Sequence, residues 1–524
     1  MRAFHQANTP FQSILAFRKN LLFGPVFGEQ IGSVEKVVLV GSKGLKCSRY
    51  HKGGKQMIEP LDRHSRDSTL FQFTTKRLRD FIDPNHLLIE IDEKFDFAKL
   101  VEPLEASYCP DNGRPAIHSQ VLVRALLVSA LYNITSFRRL CLAISENIAF
   151  RWFCFLTIED EVFDHSTITY FIQRIGREGF KALFYGFNQE LLRLGMLSPK
   201  MYADSTLVKA NVSSQGLSPS EMTVEEFQEK AIKENDIFVI REPKTEEGQL
   251  PSEESRYYQD PKGRLPLSPV DPDARWRTYS PSKRPELCYQ ENAIVDEGGF
   301  IVARTVAHAS QGEWKAIPKL VQEAPLKPET LTADTSFSVG ELRKYLEDQG
   351  IAAYIPIHSK QASGVAVSQG FEYHSNHLVC PEGKVLKKGT FYPKENTFQY
   401  AALQRDCQAC TRKTACLPPK LKRRYIQLSA YYLEFQRARQ RNNSLAYQNE
   451  MRKRKTIVEG VFACLDRLGW ARCKLRSLWK VDCEGFLAAL AHNIMKAVRK
   501  LKAKAASIAW EAELRTEMGE VATQ

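Results

Sequence analysis

Residues 200–208, Lys-Met-Tyr-Ala-Asp-Ser-Thr-Leu-Val, decide the fold class of this 524-residue chain. They predict a strand that carries Asp204 near its centre or its end. Residues 331–337, Leu-Thr-Ala-Asp-Thr-Ser-Phe, repeat the Ala-Asp-Ser/Thr pattern and predict a second, shorter strand that ends at Asp334. Each strand is therefore expected to deliver one carboxylate to the point where apolar residues give way to polar ones.

The residues between and after these two strands complete a sheet. Residues 291–307 predict two strands joined at Asp296-Glu297-Gly298-Gly299, which is a hairpin turn signal. A helix over residues 339–346, ended by Gly350, precedes one more strand over residues 352–357. Strand, hairpin, strand, helix and strand in this order indicate an α/β fold with a sheet of mixed direction.

Residues 117–197, upstream of the sheet, have a helical pattern. Apolar residues recur at three- and four-residue steps over residues 121–131, and further helices are predicted over 135–144 and after Asp164-His165-Ser166. This region is either a helix–turn–helix that binds DNA or a helical bundle with only a packing role. If DNA binds here, the phosphate contacts are three arginines on polar faces: Arg138, Arg139 and Arg174.

A third acid gives the two aspartates a chemical interpretation. Glu459 lies in an apolar helical stretch, Thr456-Ile-Val-Glu-Gly-Val-Phe462, and we expect it to face a site or a salt bridge rather than open water. Three carboxylates at one point repel each other unless they surround hard cations. Two such ions about 3.5–4 Å apart suit an in-line displacement at phosphorus. The alternative is that Asp204 and Asp334 each cap the turn that follows them.

Four cysteines lie between the second and third acids with the spacing C-x26-C-x2-C-x5-C: Cys380, Cys407, Cys410 and Cys416. Four thiolates can close a tetrahedral Zn²⁺ site, and the C-x2-C pair has a chelating spacing. Buried or free thiols are the alternative interpretation. Nearby histidines are alternative ligands: His358, His374 and His377. The other cysteines, including Cys141, Cys154, Cys464 and Cys473, are expected to be small apolar core residues.

The charge distribution indicates a polyanionic partner. The net charge is +13, and residues 420–504 alone hold 21 basic and six acidic side chains, a net charge of +15. Such an imbalance favours nucleic acid over a mixed, salt-bridged surface. The proportions of apolar (43%) and charged (26%) residues exclude a wholly disordered chain. Because neither a membrane-spanning apolar run nor a signal-peptide pattern occurs, we expect a soluble intracellular protein.

Two segments differ in composition from the rest of the chain. The first 56 residues hold nine Lys or Arg and two Glu with little periodicity, and they predict a poorly ordered leader. Residues 221–260 hold twelve acidic and five basic side chains, and they predict a partly disordered surface insertion.

Taken in order over about residues 80 to 500, these segments resemble a bacterial insertion-sequence transposase of the DDE superfamily. Tyr202-Ala-Asp204 and Leu331-Thr-Ala-Asp334 resemble the segments with the first and second catalytic aspartates, and residues 452–462 resemble the segment with the catalytic glutamate, here Glu459. The segments similar to the family's N-terminal helical domain are Gly113-Arg-Pro, Phe137-Arg-Arg-Leu, residues 146–152 and Asp164-His-Ser-Thr-Ile168.

The resemblance implies a ribonuclease-H-like mixed sheet core behind an all-α N-terminal domain, with two insertions. The implied domains are a basic leader (1–75), a helical DNA-binding domain (76–197), three parts of the catalytic core (198–214, 285–358 and 436–505), an acidic insertion (215–284), a cysteine-bearing insertion (359–435) and a tail (506–524).

The resemblance also implies a function. Asp204, Asp334 and Glu459 would hold two Mg²⁺ ions for strand cleavage and strand transfer of the chain's own insertion sequence. The implied partners are DNA, as terminal inverted repeats and target, and a second copy of the chain, because both element ends must be held together. No membrane partner is implied, and the location would be the bacterial cytoplasm at the nucleoid. Four basic residues around the glutamate would contact DNA: Arg452, Arg454, Lys455 and Arg467.

One part of the family pattern is altered here. Related transposases often carry a Tyr seven residues before the glutamate, an Arg four before it and a Lys seven after it, where this chain has Arg452, Lys455 and Asp466. Asp466 reverses the charge, although the adjacent Arg467 could substitute for the missing lysine. Two other classes therefore stay open: a DNA-binding protein that has lost the chemistry, and a metal-dependent nuclease without strand transfer.

Overall fold

The computed structural model describes residues 76–108, 116–212, 218–223, 264–268, 270–277, 286–358, 370–393 and 395–521, without the side chains of 218–223, 264–267 and 512–521. The leader and most of the acidic insertion lie outside the described residues. The chain divides into two compact units, one up to Phe187 together with Phe486 onward, and the other from Asn188 to Gly485. Among the described residues, no helix combines the length and the apolar character that a membrane span requires.

The N-terminal part of the chain is helical, which confirms the predicted all-α domain. A short 3-10 helix, Leu78–Phe81, precedes α1 (Leu87–Lys94), α2 (Phe97–Glu105), α3 (Ser119–Leu131), α4 (Phe137–Glu146), α5 (Ile148–Phe153) and α6 (His165–Arg193). Side chains cap four of these helices, since His86, Asp96, His118 and Asn147 each accept a hydrogen bond from a backbone N–H of the first turn. Gly176 interrupts α6 with non-helical backbone angles (φ 56°, ψ −167°).

The core of the helical unit contains a buried arginine whose charge is compensated. Arg124 of α3 pairs with Asp92 Oδ1 at 2.6 Å and donates to the carbonyl of Phe153 at 3.1 Å. Its guanidinium also lies 4.5–4.7 Å from the centres of three phenylalanine rings: Phe97, Phe153 and Phe155. The helices therefore pack around a cation that is both paired and enclosed by aromatic rings.

The second unit contains the predicted mixed sheet. Its strands are β1 (Lys200–Lys209), β4 (Arg275–Arg277), β5 (Glu286–Asp296), β6 (Ile301–His308), β7 (Thr330–Thr332) and β8 (Ala352–Tyr354), and β2 (Ser218–Thr223) pairs separately with β3 (Arg264–Leu267). The strand order is β4-β5-β1-β7-β8, with β6 on the same edge of β5 as β4. β1 pairs antiparallel with β5 and parallel with β7, which pairs parallel with β8. The predicted α/β fold class is confirmed.

The hairpin between β5 and β6 forms at the predicted turn. Gly299 adopts a positive φ of 77°, which glycine tolerates without steric cost. The buried Asp296 carboxylate accepts hydrogen bonds from the backbone N–H of Phe300 (2.7 Å) and of Ser198 (2.9 Å). One side chain therefore fixes both the turn and the entry of the chain into β1.

A buried charge network holds the first turns of the C-terminal helix against this sheet. Arg304 of β6 donates to Glu291 of β5 (Nε to Oε1, 2.8 Å) and to Asp482 of the C-terminal helix (Nη1 to Oδ1, 2.8 Å). The Asp482 carboxylate also accepts from the backbone N–H of Val306 at 2.8 Å. All three charged side chains are at most 2% exposed, so their stability depends on this mutual pairing.

The cysteine-bearing insertion contains a second, antiparallel sheet of β9 (Glu372–His374), β10 (His377–Val379), β11 (Val385–Tyr392), β12 (Thr397–Ala402) and β13 (Tyr425–Ser429). Its inner face packs as an apolar cluster that includes Leu378, Leu386 and Tyr400. The second unit also contains these helices: α7 (Ile317–Glu323), α8 (Gly340–Asp348), α9 (Gln404–Gln408), α10 (Lys413–Cys416), α11 (Tyr432–Asn442), α12 (Leu445–Arg467) and the start of α13 (Leu478–Val521).

Candidate active site

The parallel pairing of β1 with β7 brings the two predicted aspartates side by side. Tyr202 is in register with Thr332, and Asp204 and Asp334 each lie two residues further along their chains. Asp334 follows the carboxyl end of β7, and Asp204 lies in the middle of β1, just beyond the residues that pair with β7 and opposite Ala293 of β5. The structure places these two acids together although 130 residues separate them.

Asp204 lies in an environment that disfavours its ionised form. Burial raises the pKa of Asp204 to about 6, the adjacent Arg454 guanidinium opposes this shift, and the carboxylates of Asp334 and Glu313 add to it. Arg454 Nη1 lies 2.6 Å from Asp204 Oδ2, and the backbone N–H of Ser205 donates to Oδ1 at 2.9 Å. The residue is therefore held between one cation and two further acids.

Asp334 caps the turn that follows it. Its Oδ1 accepts from the backbone N–H of Ser336 at 2.8 Å, at the start of the 3-10 helix Thr335–Phe337. The Ser336 hydroxyl lies 2.5 Å from Asp334 Oδ1 and 2.5 Å from Glu313 Oε2. The turn-cap interpretation thus holds for Asp334, but the cap does not use Oδ2, which stays available for a ligand.

Glu313 is a third acid at this edge, and the sequence analysis missed it. It begins the 3-10 helix Glu313–Ala316 and pairs with Arg277 Nη2 of β4 at 2.7 Å. Nothing in the local pattern distinguishes it from an ordinary acid at the start of a helix. Only the pairing of β4 with β5 and the position of Ser336 identify it as a neighbour of Asp334.

One face of α12 lies against β1. Glu450 Oε2 accepts from the Tyr202 hydroxyl at 2.7 Å, and Lys453 Nζ lies 2.7 Å from Glu297 Oε1. Burial and the adjacent Glu450 raise the pKa of Tyr202 well above its usual range, so the hydroxyl stays protonated and donates to the carboxylate. Glu450, Lys453 and Arg454 therefore form the contact of this helix with the carboxylate edge of the sheet.

Glu459 is the predicted third acid, and its assignment to the site stays a prediction. Glu459 is an exposed residue of α12. Five residues at 3.6 residues per turn place it about 140° around the helix axis from Arg454, which is the residue that contacts Asp204. Among the described residues, no group of three or more His, Cys, Asp or Glu side chains is arranged to hold a metal ion.

The four predicted cysteines lie close together beside the second sheet. Cys380, Cys407 and Cys416 pack against its apolar cluster. Burial raises the pKa of the Cys416 thiol, the nearby Arg424 opposes this, and the thiols of Cys407, Cys410 and Cys380 raise it further. The second sheet and the short helices α9 and α10 therefore bring the four cysteines into one region, but not into an arrangement that is set to hold a metal ion.

Backbone amides point at two of these sulfurs. The N–H of Lys384 donates to Cys380 Sγ at 3.3 Å and the N–H of Arg424 donates to Cys407 Sγ at 3.4 Å. Gly383, with a φ of 72°, closes the tight turn after Cys380 through a bond from its N–H to the Cys380 carbonyl at 2.8 Å. These two contacts fix the positions of Cys380 Sγ and Cys407 Sγ.

The remaining cysteines and the alternative ligands have other surroundings. Cys154 and Cys473 are buried as predicted, whereas Cys141 and Cys464 are only half-buried. His374 and His377 stack on each other across β9 and β10, with ring centres 5.0 Å apart. The backbone N–H of His358 donates to Ser338 Oγ at 3.3 Å.

The arginines and the lysine predicted to contact DNA are mostly accessible. Six are exposed: Arg138, Arg139, Arg174, Arg452, Lys455 and Arg467. Arg138 Nε donates to His165 Nε2 at 3.3 Å, and the Arg174 guanidinium lies 4.6 Å from the centre of the Tyr108 ring. Arg454 differs, because it is half-buried and pairs with Asp204.

Two protein-family models match the chain. The Transposase domain (DUF772) matches residues 76–174, and the Transposase DDE domain matches residues 379–498. A cryo-EM structure of a piggyBac transposase synaptic complex with hairpin DNA has 10% identity and a TM-score of 0.30, over 81% of this chain and 77% of that chain. No curated protein matches the sequence. The predicted resemblance to the DDE transposases is confirmed by the two family matches. The second match includes the cysteines and Glu459, while Asp204 and Asp334 lie outside both.

Proposed function

We propose that this chain is a DNA transposase of the DDE type, which cleaves and transfers strands of its own insertion sequence with the help of divalent metal ions. The observation that carries the proposal is the register of β1 and β7, which sets Asp204 of β1 and Asp334, just after β7, side by side where the pairing of these two parallel strands ends. Two neighbouring carboxylates suit hard cations such as Mg²⁺, because a cation compensates their mutual repulsion.

The residues at this edge fit the role of metal ligands. Asp204 and Asp334 would supply the first oxygens, and Ser336 holds the Asp334 carboxylate in place through Oδ1. Glu459, on the exposed side of α12, is proposed as the third acid from the family resemblance. Mg²⁺ held by these acids would supply activation of a water or a 3′-hydroxyl and stabilisation of the leaving oxygen.

The remaining charged groups would position DNA at this edge. The exposed Lys455 and Arg452 lie about one and about two turns before Glu459 on the same helix, so phosphates bound there would lie near the proposed acid. Since residues 420–504 carry a net charge of +15, binding should weaken steeply as salt concentration rises. Binding of both element ends by two copies of the chain, near the bacterial nucleoid, belongs to the same proposal.

We further propose that Cys380, Cys407, Cys410 and Cys416 bind one Zn²⁺. The proximity of the four thiols and the two N–H donors to sulfur support this assignment. Soft thiolates suit zinc and hard carboxylates suit magnesium, so the two metal sites should not compete. The zinc would stabilise the second sheet and its short helices, and it would take no part in the chemistry.

The test is a comparison of cleavage, strand transfer and DNA binding in single variants. Asp204→Asn, Asp334→Asn and Glu459→Gln should each lower Mg²⁺-dependent cleavage by more than about 100-fold, with DNA affinity within about 2-fold of the wild type. Asp348→Asn, which removes an exposed carboxylate that pairs with Lys344, serves as the matched control and should cleave normally.

Each alternative function predicts a different outcome. Cleavage at the wild-type rate by Asp204→Asn or Asp334→Asn would contradict the proposed metal site. Cleavage at the wild-type rate by Glu459→Gln would remove only Glu459 from that site. Cleavage by the wild type without joining of 3′-hydroxyl ends to target DNA would identify a nuclease. Tight DNA binding without any Mg²⁺-dependent nicking would identify a DNA-binding protein that has lost the chemistry.

A further inference from the structure

The five-stranded sheet of the cysteine-bearing insertion has an outer face that is not covered by its own apolar cluster. Alternate residues of its strands point to opposite faces, and Leu378, Leu386 and Tyr400 belong to the inner, packed face. Their sequence neighbours His377, Lys387 and Ala401 therefore point outward.

The strand register aligns one residue from each strand into a row on this outer face. His374 of β9 pairs with His377 of β10, which pairs with Lys387 of β11. Lys387 pairs with Ala401 of β12, which pairs with Tyr425 of β13. The row crosses the whole sheet, and every member is exposed or half-buried.

The members of this row combine flat rings with cations. The rings of His374 and His377 are nearly parallel, at 13°, and Arg423 lies 5.0 Å from the Tyr425 ring centre and donates to its hydroxyl at 2.8 Å. Lys387 lies between these two pairs and is exposed. Ala401 and, in the next row, Gly389 have little or no side chain, so no large group protrudes from the middle of the face. A Cβ at Gly389 would lie only 3.2 Å from the Gln399 carbonyl.

The charge of this insertion matches a polyanion. Residues 371–430 contain eleven Lys or Arg and four Asp or Glu, a net charge of +7. On the outer face the acid next to the row is Glu372, which lies 3.8 Å from His374 at the β9 end. The cationic part of the face therefore lies over β11 to β13, around Lys387 and Arg423.

We propose that this outer face binds DNA, with phosphates against Lys387 and Arg423 and with sugars against the Tyr425 and histidine rings. Cations that neutralise phosphates, beside side chains that contact sugars, hold duplex DNA without reading its sequence. The inference rests on the proposed transposase function and adds a second contact region, separate from the basic residues of α12.

The experiment measures how binding of the full-length protein to a fluorescein-labelled 30-base-pair duplex depends on KCl concentration. Removing two phosphate contacts, with Lys387→Gln and Arg423→Gln together, should make the slope of log K against log salt shallower by about 1.8. Lys387→Gln alone should change the slope by about 0.9. The matched control is Arg405→Gln with Arg412→Gln, which removes the same charge from exposed residues of the same insertion that lie outside its strands.

The outcomes separate this proposal from the proposed function. An unchanged slope for both Lys387 variants, with normal binding by the wild type, would overturn the surface and leave the transposase proposal intact. An equal change in the control pair would also overturn it, because the effect would then be one of net charge. If the wild type bound no duplex, the proposed function would fail together with this inference.

Discussion

Arg454 donates from Nη1 to Oδ2 of Asp204 over 2.6 Å, with both side chains less than one-fifth exposed. The guanidinium thus occupies one of the carboxylate oxygens that the proposed function assigns to a metal ion. A divalent cation that binds Asp204 must compete with this arginine, since one buried oxygen does not serve both cations at full strength.

Replacing Arg454 should therefore strengthen metal binding. We expect Arg454→Gln to raise the affinity for Mg²⁺ by about 10-fold, equivalent to roughly 1.4 kcal/mol, when titration calorimetry is carried out at pH 8, where Asp204 is ionised. Lys453→Gln is the control, because Lys453 pairs with Glu297 and Glu450 instead. An affinity equal to the wild type would show that the arginine and the metal do not share Asp204.

The buried charge network predicts a strong effect at Gly485. A Cβ at this position would lie 2.1 Å from Arg304 Nη2, so alanine must displace a guanidinium that pairs two buried acids. Gly485→Ala should lower the free energy of unfolding in urea by roughly 3 kcal/mol. Gly460→Ala, also in a helix but with no atom within 4 Å, should instead raise it by up to about 1 kcal/mol. Equal effects of the two substitutions would contradict the packing described for Arg304.

Glu484 predicts a pH dependence of stability. Burial raises the pKa of Glu484 to about 7, although its carboxylate accepts from the backbone N–H groups of Leu475 and Lys474. The folded state thus binds a proton that the unfolded state has released above pH ~4.3. The stabilisation by this proton is full below that pH and is lost as pH rises through about 7. Between pH 4.5 and 7.5, the free energy of unfolding of Glu484→Gln should therefore decline by a few kcal/mol less than that of the wild type. Parallel plots of unfolding free energy against pH for the two proteins would contradict this prediction.

The cysteine cluster predicts bound zinc. Freshly prepared, reduced protein should contain about one Zn²⁺ per chain by atomic emission. Cys407→Ser should lower both the zinc content and the protease resistance of residues 370–420, whereas Cys464→Ser, at a half-buried position of α12 outside the cluster, should change neither. A wild-type preparation with little zinc would leave the four cysteines as ordinary thiols.

Local sequence signals were sufficient to predict the strands of the mixed sheet. The turn at residues 296–299 and the repeated Ala-Asp pattern depend on neighbouring residues alone, and the structure has β5, β6, β1 and β7 at the expected places. The charge run likewise identified α12 as basic. Each of these features is encoded within a window of about ten residues, which is the range over which hydrophobic periodicity and turn residues act.

The partners of the site residues depend on contacts that no window contains. Arg454 meets Asp204 across 250 positions, and Arg304 meets Asp482 across 178. Whether Glu459 points inward depends on the rotation of α12 about its axis, and this rotation is set by the packing of Val458, Val461 and Leu465. An apolar stretch around an acid could not distinguish the packed side of that helix from its open side.

The central position of β1 also has a consequence for biosynthesis. This strand pairs with β5 and β7, whose partner residues lie about 90 and 130 positions later in the chain. On a ribosome that adds roughly 5–20 residues per second, about 7–26 s pass between the synthesis of Tyr202 and Ala203, which are buried in the folded protein, and the synthesis of β7. Both edges of this future middle strand are unpaired until β5 is synthesised, and the edge that pairs with β7 is unpaired until the end of the interval. A chaperone that shields β1 should therefore raise the yield of folded protein.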